Sequence, residues 1–289
     1  MPLIAILRSA VRRSAAALLS VTLLATPSFA DTLFPEQDES ASANEPFSTC
    51  IALAQNLNQQ LPVQFASLAM PASSLDQEVT IQFSGHSTYV IETPAGVRIA
   101  TDYAGYAVGR KPDIVTMNNA HSSHYTLIDD PDIDFMLPGW GKTEGEPARH
   151  RREVQDVFVR NVTTDIQRFG TYRENGNSVF IFEVAGLCIG HLGHLHHRLT
   201  DTHFAEIGRL DIVMVPIDGG LTMAQSGMAA MVDRFKSRIV LPMHRRGNSV
   251  ASFTALLPDF QPVYLQKRII RVSARTLPDS PTIMILPNL

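Results

Sequence analysis

"GLCIGHLGHLHHRLTD", residues 186–201, holds four of the chain's ten histidines. An apolar run, "LCIG", leads straight into His191, His194, His196 and His197. A buried strand that ends in imidazoles is delivering polar groups beyond its carboxyl end, where α/β sheets assemble their sites. Three further runs share the design. "DIVTM" is followed by Asn118, Asn119 and His121, "DIVMVP" by Asp218, Gly219 and Gly220, and "RIVLPM" by His244. Four apolar strands with histidine or acid at each tip point to one shared site. In the loop "NNAHSSHYT", His121 and His124 stand three apart among small residues, so both rings can enter the same space. Neutral imidazole is the commonest metal ligand, and a catalytic zinc needs three such groups plus a position for water.

Outward from these tips, short β-rich runs dominate the first half: "VTIQFSG", "TYVIET", "VRIATD", "DFMLPGWG" and "DVFVRNV". "TPAG" is a turn, and "NSVFIFEVAGLCIGH" reads as a hairpin joined at "AG". Helices are then expected between strands, at "TDTHFAEIG", "MAQSGMAAMVDRFK" and "NSVASFTALL", with "QPVYLQ" and "RIIRVSA" as a closing pair. Strands first, then strand and helix in alternation, predict an α/β fold with mixed sheets.

The chain opens on residues that do not belong to that body. "MPLIAILRSAVRR" carries three arginines and no acid, "SAAALLSVTLLA" is apolar, and Ser28 and Ala30 suit a cleavage site, so residues 1–30 read as a signal peptide. Its apolar run is shorter than the ~20 residues a membrane span needs. Cleavage takes the chain from 289 to 259 residues and, with three arginines lost, from a net charge of −4 to −7. A periplasmic or secreted protein without a membrane anchor is expected. The acidic balance and the lack of a basic run exclude an obvious nucleic-acid binder. Residues 31–46 read as a flexible leader, "TCIALAQNLNQQL" as a first helix, and 47–289 as a single domain whose strands begin near Glu78. An oxidising compartment permits a Cys50–Cys188 bridge, but the position of Cys188 inside an apolar strand favours two buried free thiols.

The pieces "GHSTYVIET…VRIATD…PDIVTMNNAHSSHY…GLCIGHLGHLHHRLTD…LDIVMVPIDGG…IVLPMH" resemble the metallo-β-lactamase fold superfamily, and within it the metal-dependent hydrolases related to ascorbate-6-phosphate lactonase. The resemblance covers about residues 78–260. It implies a four-layer αββα sandwich, two mixed β-sheets flanked by helices. It also implies a divalent metal, and here the chain departs from the pattern. The superfamily loop His-x-His-x-Asp-His reads Asn119, His121, Ser123 and His124. The family's bridging aspartate is replaced by His194, while the final histidine is kept as His244. Near "VRNVTTDIQRFG", where a further histidine is expected, Asp165 is the only stand-in. His121, His124, His194 and His244 therefore make an all-imidazole set for one ion, with zinc expected and iron, nickel or copper as alternatives. His86, which matches a family position, either fills the place Asn119 vacates or is a core histidine. His191 and His197 match positions of the lactonase-like branch and are expected to shuttle protons or face substrate. Asp218 orients a histidine, binds substrate or simply makes a turn. Arg245 and Arg246 read as a solvated basic pair, with contact to an anionic substrate group as the alternative.

The expected function is hydrolysis of a small ester, lactone, amide or phosphoester by metal-activated water. The alternative is a degenerate, non-catalytic member that binds metal or ligand, which the changed Asn119 and Ser123 favour. Fold alone does not choose between them.

Overall fold

The computed structural model describes residues 48–51, 75–168, 170–247 and 249–289. The expected signal peptide, leader and most of the first helix lie outside the described residues. No helix among the described residues is long and apolar enough to cross a membrane.

Two mixed sheets face one another. In the first, β1 (Val79–Gly85), β2 (Thr88–Glu92) and β3 (Arg98–Ala100) run antiparallel, and β4 (Ile114–Met117) and β5 (Phe135–Pro138) add in parallel. The second opens on antiparallel hairpins through β6 (Arg151–Val154), β7 (Val157–Arg168), β8 (Thr171–Val184) and β9 (Leu187–His191). The "AG" turn joins β8 to β9, with Ala185 and Gly186 both at positive φ, as a two-residue hairpin of this twist requires. The chain then alternates. Helix α1 (Asp201–Ile207) precedes β10 (Ile212–Pro216), α2 (Gln225–Phe235) precedes β11 (Ile239–Met243), and α3 (Ser249–Ala255) precedes β12 (Gln261–Tyr264). Strand β13 (Ile269–Val272) returns to the first sheet against β1, and β14 (Thr282–Ile285) lies between β11 and β12. Every residue of β9, β10 and β11 is buried, which explains why these runs are continuously apolar rather than alternating.

Ile81, Tyr89, Ile91 and Ile114 of the first sheet meet Val159, Phe180, Ile212 and Leu241 of the second in the central core. The outer face of the second sheet buries Val213, Val215 and Val240 beneath Ile207, Met228, Val232 and Phe253 of the helices. The outer face of the first sheet lies under Tyr103, Ala107 and Ile133, which among the described residues come from loops.

Two expectations are corrected. The closing runs do not pair with each other: β12 joins the second sheet and β13 the first, because the chain crosses between sheets at residues 265–268, where Phe83 N–H bonds Arg268 O. The second correction is that Cys50 and Cys188 are disulfide-bonded, not free. Burial of Cys188 does not argue against the bond, since both sulfurs are buried together where residues 48–51 lie against β8 and β9.

Candidate metal centre

The parallel strands of both sheets send their carboxyl ends to one place. Strand β3 delivers Asp102, β4 delivers Asn118 and the loop with His121 and His124, β9 delivers His191 and His194, β10 delivers Asp218, and β11 delivers His244. The β1–β2 turn adds His86. Three of these residues, His86, Asp102 and His244, sit at φ of 53°, 49° and 54°, a left-handed conformation that costs a non-glycine residue energy and clusters at functional sites. The N–H of His244 donates to His86 O at 2.8 Å, tying the two sheets together. Gly193, also at positive φ, lets the His194 loop close in: a Cβ there would lie 2.4 Å from Asn118 Nδ2 and from Asn177 Oδ1. Asn177 Oδ1 accepts from His194 N–H at 2.7 Å and fixes that loop.

Ligand nitrogens of His86, His121, His124 and His244 all lie within 4.8 Å of one another. The His194 ring joins them, its centroid 5.2, 4.7 and 4.9 Å from those of His121, His124 and His244. Carboxylates stand behind two of the rings. His124 Nδ1 donates to Asp102 Oδ2 at 2.5 Å, and His244 Nδ1 donates to Asp218 Oδ1 at 3.0 Å. Each bond fixes the tautomer that leaves Nε2 as a lone pair, as metal-ligating histidines require. His194 Nδ1 bonds His196 Nε2 at 2.8 Å. The Nε2 atoms of His194 and His244 are buried without a hydrogen-bond partner. A polar atom left in that state costs about 1–3 kcal/mol unless something binds it. The donor set therefore fits a cation that prefers nitrogen.

The electrostatics agree. Burial, then the neighbouring His244 and His124, lowers the pKa of His86 to about 4. Burial, with His124 and His244 adding, lowers that of His194 to about 2. Both rings are neutral at pH 7 and ready to donate lone pairs. Burial pushes the Asp102 carboxyl up, but its pairing with His124, helped by His191 and Asn118, brings it well below the carboxylate range. Asp218 is likewise lowered on balance, burial being outweighed by bonds from His244, Thr222 and the backbone of Gly220 and Leu221.

The remaining sequence-expected residues lie around this cluster. His191 is fully buried; its Nε2 donates to Ser87 O at 2.9 Å and its Nδ1 accepts from Gly193 N–H at 3.1 Å, so both nitrogens are engaged with backbone. His197 Nε2 accepts from Asp165 N–H, and Asp165 accepts from Tyr172 and Asn175, in a group separate from the imidazole cluster. Asn119 binds Gly176 O through its backbone N–H. Ser123 Oγ bonds His121 Nδ1 at 2.7 Å and His86 Nε2 at 3.1 Å. Asp102 is the residue that sequence reasoning passed over. Its signal was its place after the β-run "RIA", matching that of Asp218 after "DIVMVP". Asp102→Asn is expected to weaken metal affinity about 10- to 100-fold, as loss of such a partner does elsewhere. Competition against a chromogenic chelator measures it, and an unchanged affinity would remove Asp102 from this role.

The comparisons with known proteins agree with this geometry. A metal-dependent hydrolase of Pyrococcus abyssi is 25% identical over 189 residues, covering 57% of this chain and 84% of its own. One of Pyrococcus furiosus is 23% identical over 197 residues with the same coverage. A metallo-β-lactamase superfamily structure from Thermotoga maritima superposes with a TM-score of 0.55 at 23% identity, over 72% of this chain and 98% of that one. A structure from Parabacteroides distasonis gives 0.52 at 16% identity, over 74% and 94%. The model of the beta-lactamase superfamily domain matches residues 80–244, more than half of the chain and the span from β1 to His244. By its residues, its sheets and this match, the chain belongs to the beta-lactamase superfamily.

Proposed function

We propose that this protein is a metal-dependent hydrolase of a small molecule, working with one divalent ion, zinc by preference, held by His86, His121, His124 and His244. The observation that carries the reading is the convergence of these four imidazoles, two of them backed by carboxylates. Relatives named as metal-dependent hydrolases support it. An all-nitrogen set suits zinc and its late transition-metal neighbours better than magnesium or calcium. A cation bound there lowers the pKa of water and polarises the bond to be cleaved.

The chain's own residues supply the rest. Asp102 and Asp218 hold His124 and His244 in register. His191 pins the turn that carries His86 to the loop that carries His194. Because both His191 nitrogens serve the backbone and His197 is engaged with Asp165, the proton path falls to His194. His194 Nδ1 and His196 Nε2, 2.8 Å apart, form a hydrogen-bonded chain from the cluster to the partly exposed His196, along which a proton passes toward solvent by concerted transfer without a charged His194. This pair does the work of the aspartate that the family pattern expects.

A second reading keeps some support. Ser123 Oγ bridges His86 and His121, and the Nε2 atoms of His86 and His124 lie 3.4 Å apart, so the rings partly satisfy each other as a non-catalytic binding site would. Elemental analysis of wild type and His194→Ala, with assays on nitrophenyl esters, lactones and phosphodiesters, separates the readings. One equivalent of metal in both proteins is expected, with turnover about 10²- to 10⁴-fold slower in the variant. Metal lost from His194→Ala would make His194 a ligand. Metal without turnover of any substrate class would favour the binding protein. Export to the periplasm or beyond is part of the proposal, supported by the amino-terminal pattern and by a disulfide, which persists in oxidising compartments.

A further inference from the structure

The second sheet places five parallel strands side by side in the order β12-β14-β11-β10-β9. The carboxyl ends of β9, β10 and β11 carry the second sheet's share of the site, His191, His194, Asp218 and His244. Those of β14 and β12 point the same way and line a groove of about 360 Å³. Val250 and Ala251 of α3 form one wall, Leu265 and Leu286 contribute apolar surface, and the exposed Tyr264 stands at the lip. Arg245 also lines it and follows His244 in the chain, and β14 lies beside β11, so groove and cluster lie at the carboxyl ends of neighbouring strands. The framing segments, 243–247, 249–251, 261–268 and 284–289, carry Arg245, Arg246, Lys267 and Arg268 and no acidic side chain, in a chain whose net charge is −4.

We propose that this groove is the acyl subsite: it takes the apolar arm of a carboxylic ester, amide or lactone, and Arg245 answers the carboxylate formed at the junction with the cluster. The inference rests on the hydrolase reading and narrows it to acyl transfer to water. In the reaction, the water oxygen bonds to the acyl carbon and the acyl C–O or C–N bond breaks. One water proton ends on the leaving oxygen or nitrogen and the other goes to solvent, leaving a carboxylate. A largely apolar trough lined by one cationic side chain, the exposed Arg245, matches that product and not a neutral or cationic one. The volume lies at the low end for small-molecule pockets, so a medium-chain acid is the first probe.

Octanoate is the probe, with octanol and acetate as comparisons, in calorimetric titrations of metal-loaded and chelator-treated protein. Octanoate is expected to bind both forms at least tenfold tighter than octanol or acetate. Ala251→Trp, which fills the groove from an exposed helix position, should abolish binding in both forms. Arg245→Gln should bring octanoate down to the level of octanol. Octanoate that binds only the metal-loaded form, and equally well in Ala251→Trp, would be a carboxylate held by the cation and would overturn the subsite. So would the absence of binding to either form. Because the chelator-treated titration needs no metal or turnover, its failure is distinct from failure of the hydrolase reading, which the metal analysis decides.

Discussion

Replacing His124 by alanine is expected to take the metal content from one equivalent to below a tenth, and to cost the protein about 3 kcal/mol of stability, the upper end of the scale for a buried acceptor left without its donor. His124 is the centre of the cluster. It is fully buried, and its ring neighbours are His86, His121, His194 and His244. Its removal deletes one metal donor and strands Asp102, which is also fully buried. The sign of the pH effect follows. In the wild type the lowered Asp102 pKa contributes stability above the unfolded carboxylate range, and this is lost as pH falls through the folded value. In the variant, burial acts with His124 gone, so the carboxyl is pushed the other way and the variant loses stability as pH rises. The double variant His124→Ala with Asp102→Asn should recover most of the stability and none of the metal. Denaturant titration at two pH values and elemental analysis test both halves. Retained metal in the single variant would displace His124 from the ligand set. A double variant no more stable than the single would show that the cost lies in packing rather than in a stranded charge.

The same residues show what a sequence discloses. The strand-end histidines were legible because burial on both faces writes β9, β10 and β11 as unbroken apolar runs, and a polar residue after such a run can only face the site. The partnerships were not. That His191 serves Ser87 and Gly193, and that Asp102 stands behind His124, are facts of tertiary contact between segments 104 and 22 residues apart. A lone aspartate after a strand looks like a turn former, which is why Asp102 carried no weight. His86 was legible only as an alternative to a core histidine, since a histidine after Ser-Gly says nothing of the left-handed φ that turns it toward His244. The strand β14 went unnoticed because "PTIMILP" is brief and proline-bounded, although those features also mark a short buried parallel strand. Strand β6 is an edge, written as "RREV" with both arginines exposed, and carries no apolar signature.

Loss of the Cys50–Cys188 bond is expected to lower stability by about 2–5 kcal/mol while leaving the metal content unchanged. The bond closes a loop with a sequence separation of 138, for which chain entropy alone predicts about 5 kcal/mol in the disulfide's favour. Part of that is returned by contacts that hold residues 48–50 without it. Buried Glu183 accepts from Ser48 Oγ at 2.6 Å, Thr49 N–H at 2.9 Å and Arg160 Nε at 2.7 Å. Arg160 in turn donates to Glu206 O and Ile207 O at the end of α1. Burial raises the Glu183 pKa, but the bonds from Ser48 and Arg160 outweigh it and hold the carboxyl low, so this clasp is charged at neutral pH. The paired variant Cys50→Ser with Cys188→Ser should therefore fall toward the middle of the range in denaturant titration. A loss under 1 kcal/mol would mean that the clasp alone holds the segment. The metal should be indifferent because Cys188 sits one residue into β9 from its amino end, whereas His191 ends the strand and His194 lies beyond it. The paralleled β9, β10 and β11 and the Asn177 bond to His194 keep the cluster in place whether or not the far end of the strand is tethered. A coincident loss of metal would show instead that the bond at one end of β9 sets the register of the imidazoles at the other.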